Sequence, residues 1–87
     1  MREKILVVDD GQSLRWLLQA VLEREGYAVV LASDGKKAVR LAETEKPQLI
    51  ILDAKMPDSH RIEACAALRA NAKTQAIRCT MPYANLP

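Results

Sequence analysis

The sequence predicts an α/β protein built on a doubly wound parallel sheet, and three observations carry that expectation. The runs Ile5-Leu6-Val7-Val8 and Leu49-Ile50-Ile51-Leu52 are short, wholly apolar and rich in Val and Ile, as strands buried on both faces must be. Between such runs lie stretches whose apolar residues recur at helical spacing. Each of these two runs is also closed at its carboxyl end by acid, Asp9-Asp10 after the first and Asp53 after the second. In open α/β sheets ligands bind just beyond those ends.

Taken in order, the first strand is followed by Gly11-Gln12-Ser13, a turn in which Ser13 is expected to cap a helix. Leu14, Leu17, Leu18, Val21 and Leu22 give that helix its apolar stripe, with Trp16 on its exposed flank, and Gly26 ends it. Tyr27 to Ala32 is the second strand, stopped by Ser33-Asp34-Gly35. The second helix turns Ala38, Val39, Leu41 and Ala42 inward and is over by Lys46-Pro47. The third strand ends at Asp53, and Ala54 to Arg61 is expected to be a loop. A third helix then starts near Ile62 with Ile62, Cys65, Leu68 and Ala72 facing the core. Around Ala76 to Tyr83 only Ile77, Cys79 and Met81 alternate, and Pro82 cannot donate to a ladder. That stretch reads either as a short edge strand or as irregular. The repeated strand–helix order implies parallel pairing with helices on both faces.

The bulk properties narrow the function. With 87 residues, 49% hydrophobic and 28% charged, residues 1–87 are expected to form one globular domain. A net charge of +2, with basic residues scattered among acids, argues against nucleic acid or an anionic membrane as partner. The apolar runs are too short to span a bilayer and the N-terminal residues enter a strand directly, so a cytoplasmic location is expected. Cys65 and Cys79 lack metal-ligand spacing and are read as reduced thiols. His60 is read as a plain loop residue.

If the two strands lie side by side, Asp9, Asp10 and Asp53 converge. Like charges that close need a cation, a proton or a Lys or Arg neighbour. The surrounding residues are specific. Lys4-Ile5-Leu6-Val7-Val8-Asp9-Asp10 and, 43 positions on from Asp10, Leu52-Asp53-Ala54-Lys55-Met56-Pro57-Asp58 closely resemble the receiver domain of bacterial two-component response regulators. Ser33-Asp34-Gly35, Ile62-Glu63 and Leu68-Arg69 resemble it too. The match runs from residue 2 to about 77, the first three βα units of a flavodoxin-like fold with strand order 2-1-3-4-5.

That resemblance implies that Asp53 is the phosphoacceptor, taking a phosphoryl group from a sensor histidine kinase, a phosphotransfer protein or a small phosphodonor. It implies Mg²⁺ as cofactor, held by Asp10 with Asp9, by Asp53 and by the backbone carbonyl of Lys55. It implies a signalling module rather than an enzyme. From the residues alone, Lys55 reads either as a solvent-pointing loop lysine or as an ammonium that folds over the acids and partly offsets them when metal is absent.

Four departures from the family pattern support an alternative, a receiver-derived interaction module that does not switch. Tyr83-Ala84 falls where a Ser or Thr followed by Ala is expected, with Thr80 out of register. The family's Lys after a fifth strand is missing, as are helix 4, strand 5 and helix 5. Arg61 replaces the Gly four residues after Pro57, where φ > 0 is expected. An incomplete receiver would leave sheet surface uncovered and an edge unpaired, which predicts a homo-oligomer through that edge or face. A metal-dependent phosphohydrolase fits poorly, because Asp53-Ala54-Lys55 lacks a second acid two residues on. A nucleotide-binding module fits worse, for want of a Gly-rich phosphate loop.

Overall fold

A computed structural model describes residues 2–9, 11–52 and 58–80, with the backbone alone at 12–15 and 58. The elements run β1 (Lys4–Val8), α1 (Gln12–Arg24), β2 (Ala28–Ala32), α2 (Gly35–Glu45), β3 (Leu49–Leu52), α3 (Asp58–Ala70) and β4 (Arg78–Thr80). The strands form one sheet in the order β2-β1-β3-β4, and all pairs are parallel. This is the doubly wound, flavodoxin-like architecture expected from the apolar runs. The uncertain last stretch does contain a strand, three residues long, at the edge.

β1 and β3 are the two interior strands, and both are buried on both faces along nearly their whole length. The side chains of β1 alternate between two cores. Leu6 and Val8 join Ile50, Leu52, Ala32, Ala38, Ala42, Ala64 and Leu68 beneath α2 and α3. Ile5, Val7 and Ile51 face the other way, with Leu18 and Leu22 of α1 packed on them. Leu6 and Ile50 are fully buried, each contributing about 1.5–3 kcal/mol relative to exposure.

The sheet register is fixed at both ends. At its lower edge Lys4 N–H donates to Gln48 Oε1 at 2.6 Å and Lys4 Nζ pairs with Glu45 Oε1 at 2.7 Å. At the upper end Val8 pairs with both Ala32 and Leu52.

Several local expectations are corrected. Gly11, not Ser13, is the N-cap of α1, and no side chain caps that helix. The apolar stripe of α1 is split, since Leu17 is 60% and Val21 49% exposed beside Trp16 at 63%. Among the described side chains of the stripe, Leu18 and Leu22 reach the sheet, while the side chain of Leu14 lies outside the described ones. β2 starts one residue later than expected, at Ala28.

The largest difference is at α3, which begins at Asp58 rather than near Ile62. With Arg at position 61 nothing there breaks a helix, and Lys46 is the single positive-φ residue other than glycine among the described ones. Of the four residues expected inward, Leu68 and Cys65 do pack on the core, and Ala64 takes the place expected of Ile62. Ala64 and Leu68 face the core, Ile62 is 68% exposed and Ala72 is exposed.

Two caps agree with the sequence. Asp34 Oδ1 accepts from Lys37 N–H at 2.9 Å at the start of α2. Gly26, with φ of 97°, follows α1.

Candidate functional site

The site is built from strand ends. Val8 and Leu52 are register partners on neighbouring parallel strands, so β1 and β3 stop at the same level. Asp9 continues β1 for one more bond, its N–H donating to Ala32 O at 3.0 Å. Its side chain is fully buried. Asp9 Oδ1 accepts from Gly11 N–H at 2.8 Å, which turns the chain sharply and brings the carboxylate against the N-cap of α1. The partial positive charge of that helix end favours an ionised group there. A Cβ added at Gly11 would meet Asp9 Oδ1 at 3.5 Å, an ordinary van der Waals contact.

Of the four residues expected to form the site, Asp9 is thus placed at the carboxyl end of the sheet. Asp10, Asp53 and Lys55 lie outside the described residues. Covalent connection alone puts Asp10 next to Asp9 and Asp53 next to Leu52. Tyr83, weighed as the counterpart of a switch hydroxyl, also lies outside them, whereas Thr80 is exposed at the end of β4. His60 is exposed on the first turn of α3.

As ligands, an Asp carboxylate and neighbouring carboxylates and carbonyls make a wholly oxygen, hard donor set. That is what Mg²⁺ takes, and what a zinc or copper site would not choose.

Two features of this region escape sequence reasoning. One is the Gly11 hydrogen bond, signalled only by the Asp-Asp-Gly order. The other is Arg61, expected in a loop but found half-buried in α3 with its Nε shielded from solvent.

The cysteines are both free. Cys79 on β4 and Cys65 on α3 pack against the same core. Burial pushes the Cys79 thiol above its ordinary value of 9.0, and Cys65 adds to the rise while Arg69 opposes it. Cys79 therefore stays protonated at neutral pH.

Comparison with known proteins places this fold. The family described as the response regulator receiver domain matches residues 5–85, and the chain belongs to that family. It is 56% identical over 69 residues to the alkaline phosphatase synthesis transcriptional regulatory protein PhoP of Bacillus subtilis, covering 79% of this chain and 29% of that protein. It is 36% identical over 80 residues to the DNA-binding response regulator MtrA of Mycolicibacterium smegmatis, covering 92% of this chain and 35% of that one. Chemotaxis protein CheY4 of Vibrio cholerae superposes with a TM-score of 0.83 at 31% identity, over 93% of this chain and 68% of that structure. The chain spans about a third of the length of the curated relatives it matches.

Proposed function

We propose that this receiver accepts a phosphoryl group on Asp53, with Mg²⁺ held by Asp10, Asp9, Asp53 and the Lys55 carbonyl. The observation that carries this reading is the pairing of Val8 with Leu52. It sets the buried Asp9 at the end of β1 level with the end of β3, the strand that Asp53 directly follows. The family supplies the context, a two-component signalling pathway whose sensor histidine kinase or phosphotransfer protein is the donor.

In the transfer, a carboxylate oxygen of Asp53 attacks phosphorus and the P–N bond to the donor imidazole breaks. The imidazole nitrogen takes a proton from solvent, and an aspartyl phosphate forms. Mg²⁺, when bound, supplies neutralising charge for phosphoryl oxygens that would otherwise meet carboxylates. Asp9, fixed by Gly11, holds its charge at a constant place, so little reorganisation accompanies the reaction. An acyl phosphate remains hydrolysable, which suits a reversible signal. The module acts as a phosphoacceptor in a cytoplasmic pathway rather than as an enzyme on an independent substrate. No helix among the described residues is long and apolar enough to cross a membrane.

A second reading, an interaction module that self-associates, is favoured by the exposed Trp16, Leu17 and Val21 on one side of α1. Apolar side chains contiguous on a helix surface mark a contact area.

Incubation with Mg²⁺ and acetyl phosphate, followed by intact mass measurement, tests the first reading. A gain of one phosphoryl group that disappears in Asp53→Asn supports it. No adduct in the wild-type chain, or one that survives Asp53→Asn, overturns it. Light scattering at high concentration tests the second, and a monodisperse monomer would exclude it.

A further inference from the structure

We propose that the exposed ridge of α1 in one copy of this chain seats in the groove between α2 and α3 of the next, joining copies head to tail. The inference rests on the self-association reading above and supplies the surface that receives α1.

The ridge is set by helical spacing. Trp16, Ala20 and Arg24 form one i, i+4 row on α1, and Leu17, Val21 and the C-cap residue Glu25 form the adjacent row. All six are exposed. Leu18 and Leu22 hold the helix to the sheet, so the two rows are presented to solvent on a fixed support. The ridge is apolar for most of its length and ends in a base beside an acid.

The groove has the complementary form. α2 and α3 approach closely at Gly35 and Ala64, where a Cβ added to the glycine would lie 3.4 Å from Ala64 Cβ. Here the two helices border a cleft of about 390 Å³ whose apolar lining is Val39, Ala64 and Ala67. Small side chains let a neighbouring helix come near, and rows spaced i, i+4 are what pack into such grooves. Lys36, Arg40 and Glu63 line the same cleft. These three are exposed, and none of them makes an ion pair among the described residues.

Charge favours a second copy as the occupant. Two bases and one acid flank the apolar lining, and α1 closes with Glu23, Arg24 and Glu25. The two glutamates match Lys36 and Arg40, and Arg24 matches Glu63. Pairs of this kind at a rim set partner and register more than affinity. The affinity comes from burying Trp16, Leu17 and Val21.

Topology then dictates how copies join. α1 packs on the Ile5, Val7 and Ile51 side of the sheet, and α2 and α3 pack on the other. Ridge and groove therefore lie on opposite faces of one molecule. A ridge-in-groove contact leaves a free groove on one copy and a free ridge on the other, so it repeats. A contact between two α1 helices would instead stop at a two-fold dimer.

Sedimentation velocity of the full chain over a concentration series tests this, with circular dichroism confirming that each variant is folded. The wild type is expected to grow past the dimer as concentration rises. Leu17→Glu removes the apolar centre of the ridge and Ala67→Arg fills the groove, both at exposed positions. Each alone is expected to weaken association at least about tenfold. Mixed, the two variants should form a one-to-one pair that grows no further, because one keeps its groove and the other its ridge. A wild type that stops at a dimer, either variant associating like the wild type, or a mixture that stays monomeric overturns the groove while self-association stands. A wild type that is monomeric throughout overturns the self-association reading and this inference together.

Discussion

Thr74 allows a quantitative test of what holds the turn between α3 and β4. Its side chain is 1% exposed, and Oγ1 donates to Leu68 O at 2.6 Å. Leu68 supplies one of the last four carbonyls of α3, which the helix itself cannot satisfy. The Thr74 N–H donates to Asn71 O at 3.0 Å, in the turn just past the helix end, so one residue ties the turn by backbone and the helix end by side chain. Thr74→Val keeps the shape and deletes the hydroxyl. A buried carbonyl then loses its donor, at a cost of about 1–3 kcal/mol. For a chain of this size each kcal/mol lowers the unfolding midpoint by roughly 4–8 °C, so a fall of roughly 5–20 °C is expected. Thermal unfolding followed by far-UV circular dichroism, with urea titration beside it, measures both quantities. Thr74→Ser keeps the hydroxyl and loses one buried methyl, about 1 kcal/mol, which separates packing from hydrogen bonding. A valine variant within about 0.5 kcal/mol of the wild type would refute the claim that this hydroxyl secures the turn.

Two further outcomes follow from local geometry. Lys46 ends α2 with φ of 48° and ψ of 58°, a left-handed conformation that strains any residue with a Cβ. Lys46→Gly is therefore expected to stabilise the fold by about 0.5–1 kcal/mol, seen as a higher urea midpoint at unchanged slope; a lower midpoint would contradict it. For Cys79 the folded value lies above 9.0, so the neutral thiol contributes stability that is fully present below pH 9.0 and is lost as pH rises through the folded value. Cys79→Ala should flatten the alkaline side of the stability profile, and alkylation of Cys79 in the native chain should reach half its maximal rate above pH 9.0.

The fold was legible because its central strands carry an unambiguous pattern. Ile5 to Val8 and Leu49 to Leu52 can only be two-sided strands, and the acids that close them mark the functional end of the sheet. The helix ends next to glycine or proline were legible too, at Gly26 and at Lys46-Pro47. The start of α3 was not. The family pattern argues for a turn at position 61, whereas Arg is a good helix former and Asp58 suits a first turn. Local propensity prevailed, and Ile62 went to solvent. The stripe on α1 misled for a different reason. Periodicity shows which residues share a face but not how wide a face the sheet can cover, and Leu17 and Val21 lie beyond its reach. Asp9 was found from sequence; the backbone donor that fixes it was not, because a main-chain N–H leaves no residue-type signal.

The position of β1 between β2 and β3 has a consequence for synthesis. This strand precedes its partners in the chain, and on one side the partner comes much later, since 44 residues separate Lys4 from Gln48. At typical translation rates that interval lasts roughly 2–9 s. Throughout it, β1 has an unpaired edge and can close only against β2, the edge neighbour. Nascent chains stalled before residue 49 should therefore be the species most prone to aggregation and to chaperone capture, and completion of Leu49–Leu52 should be the moment at which that vulnerability ends.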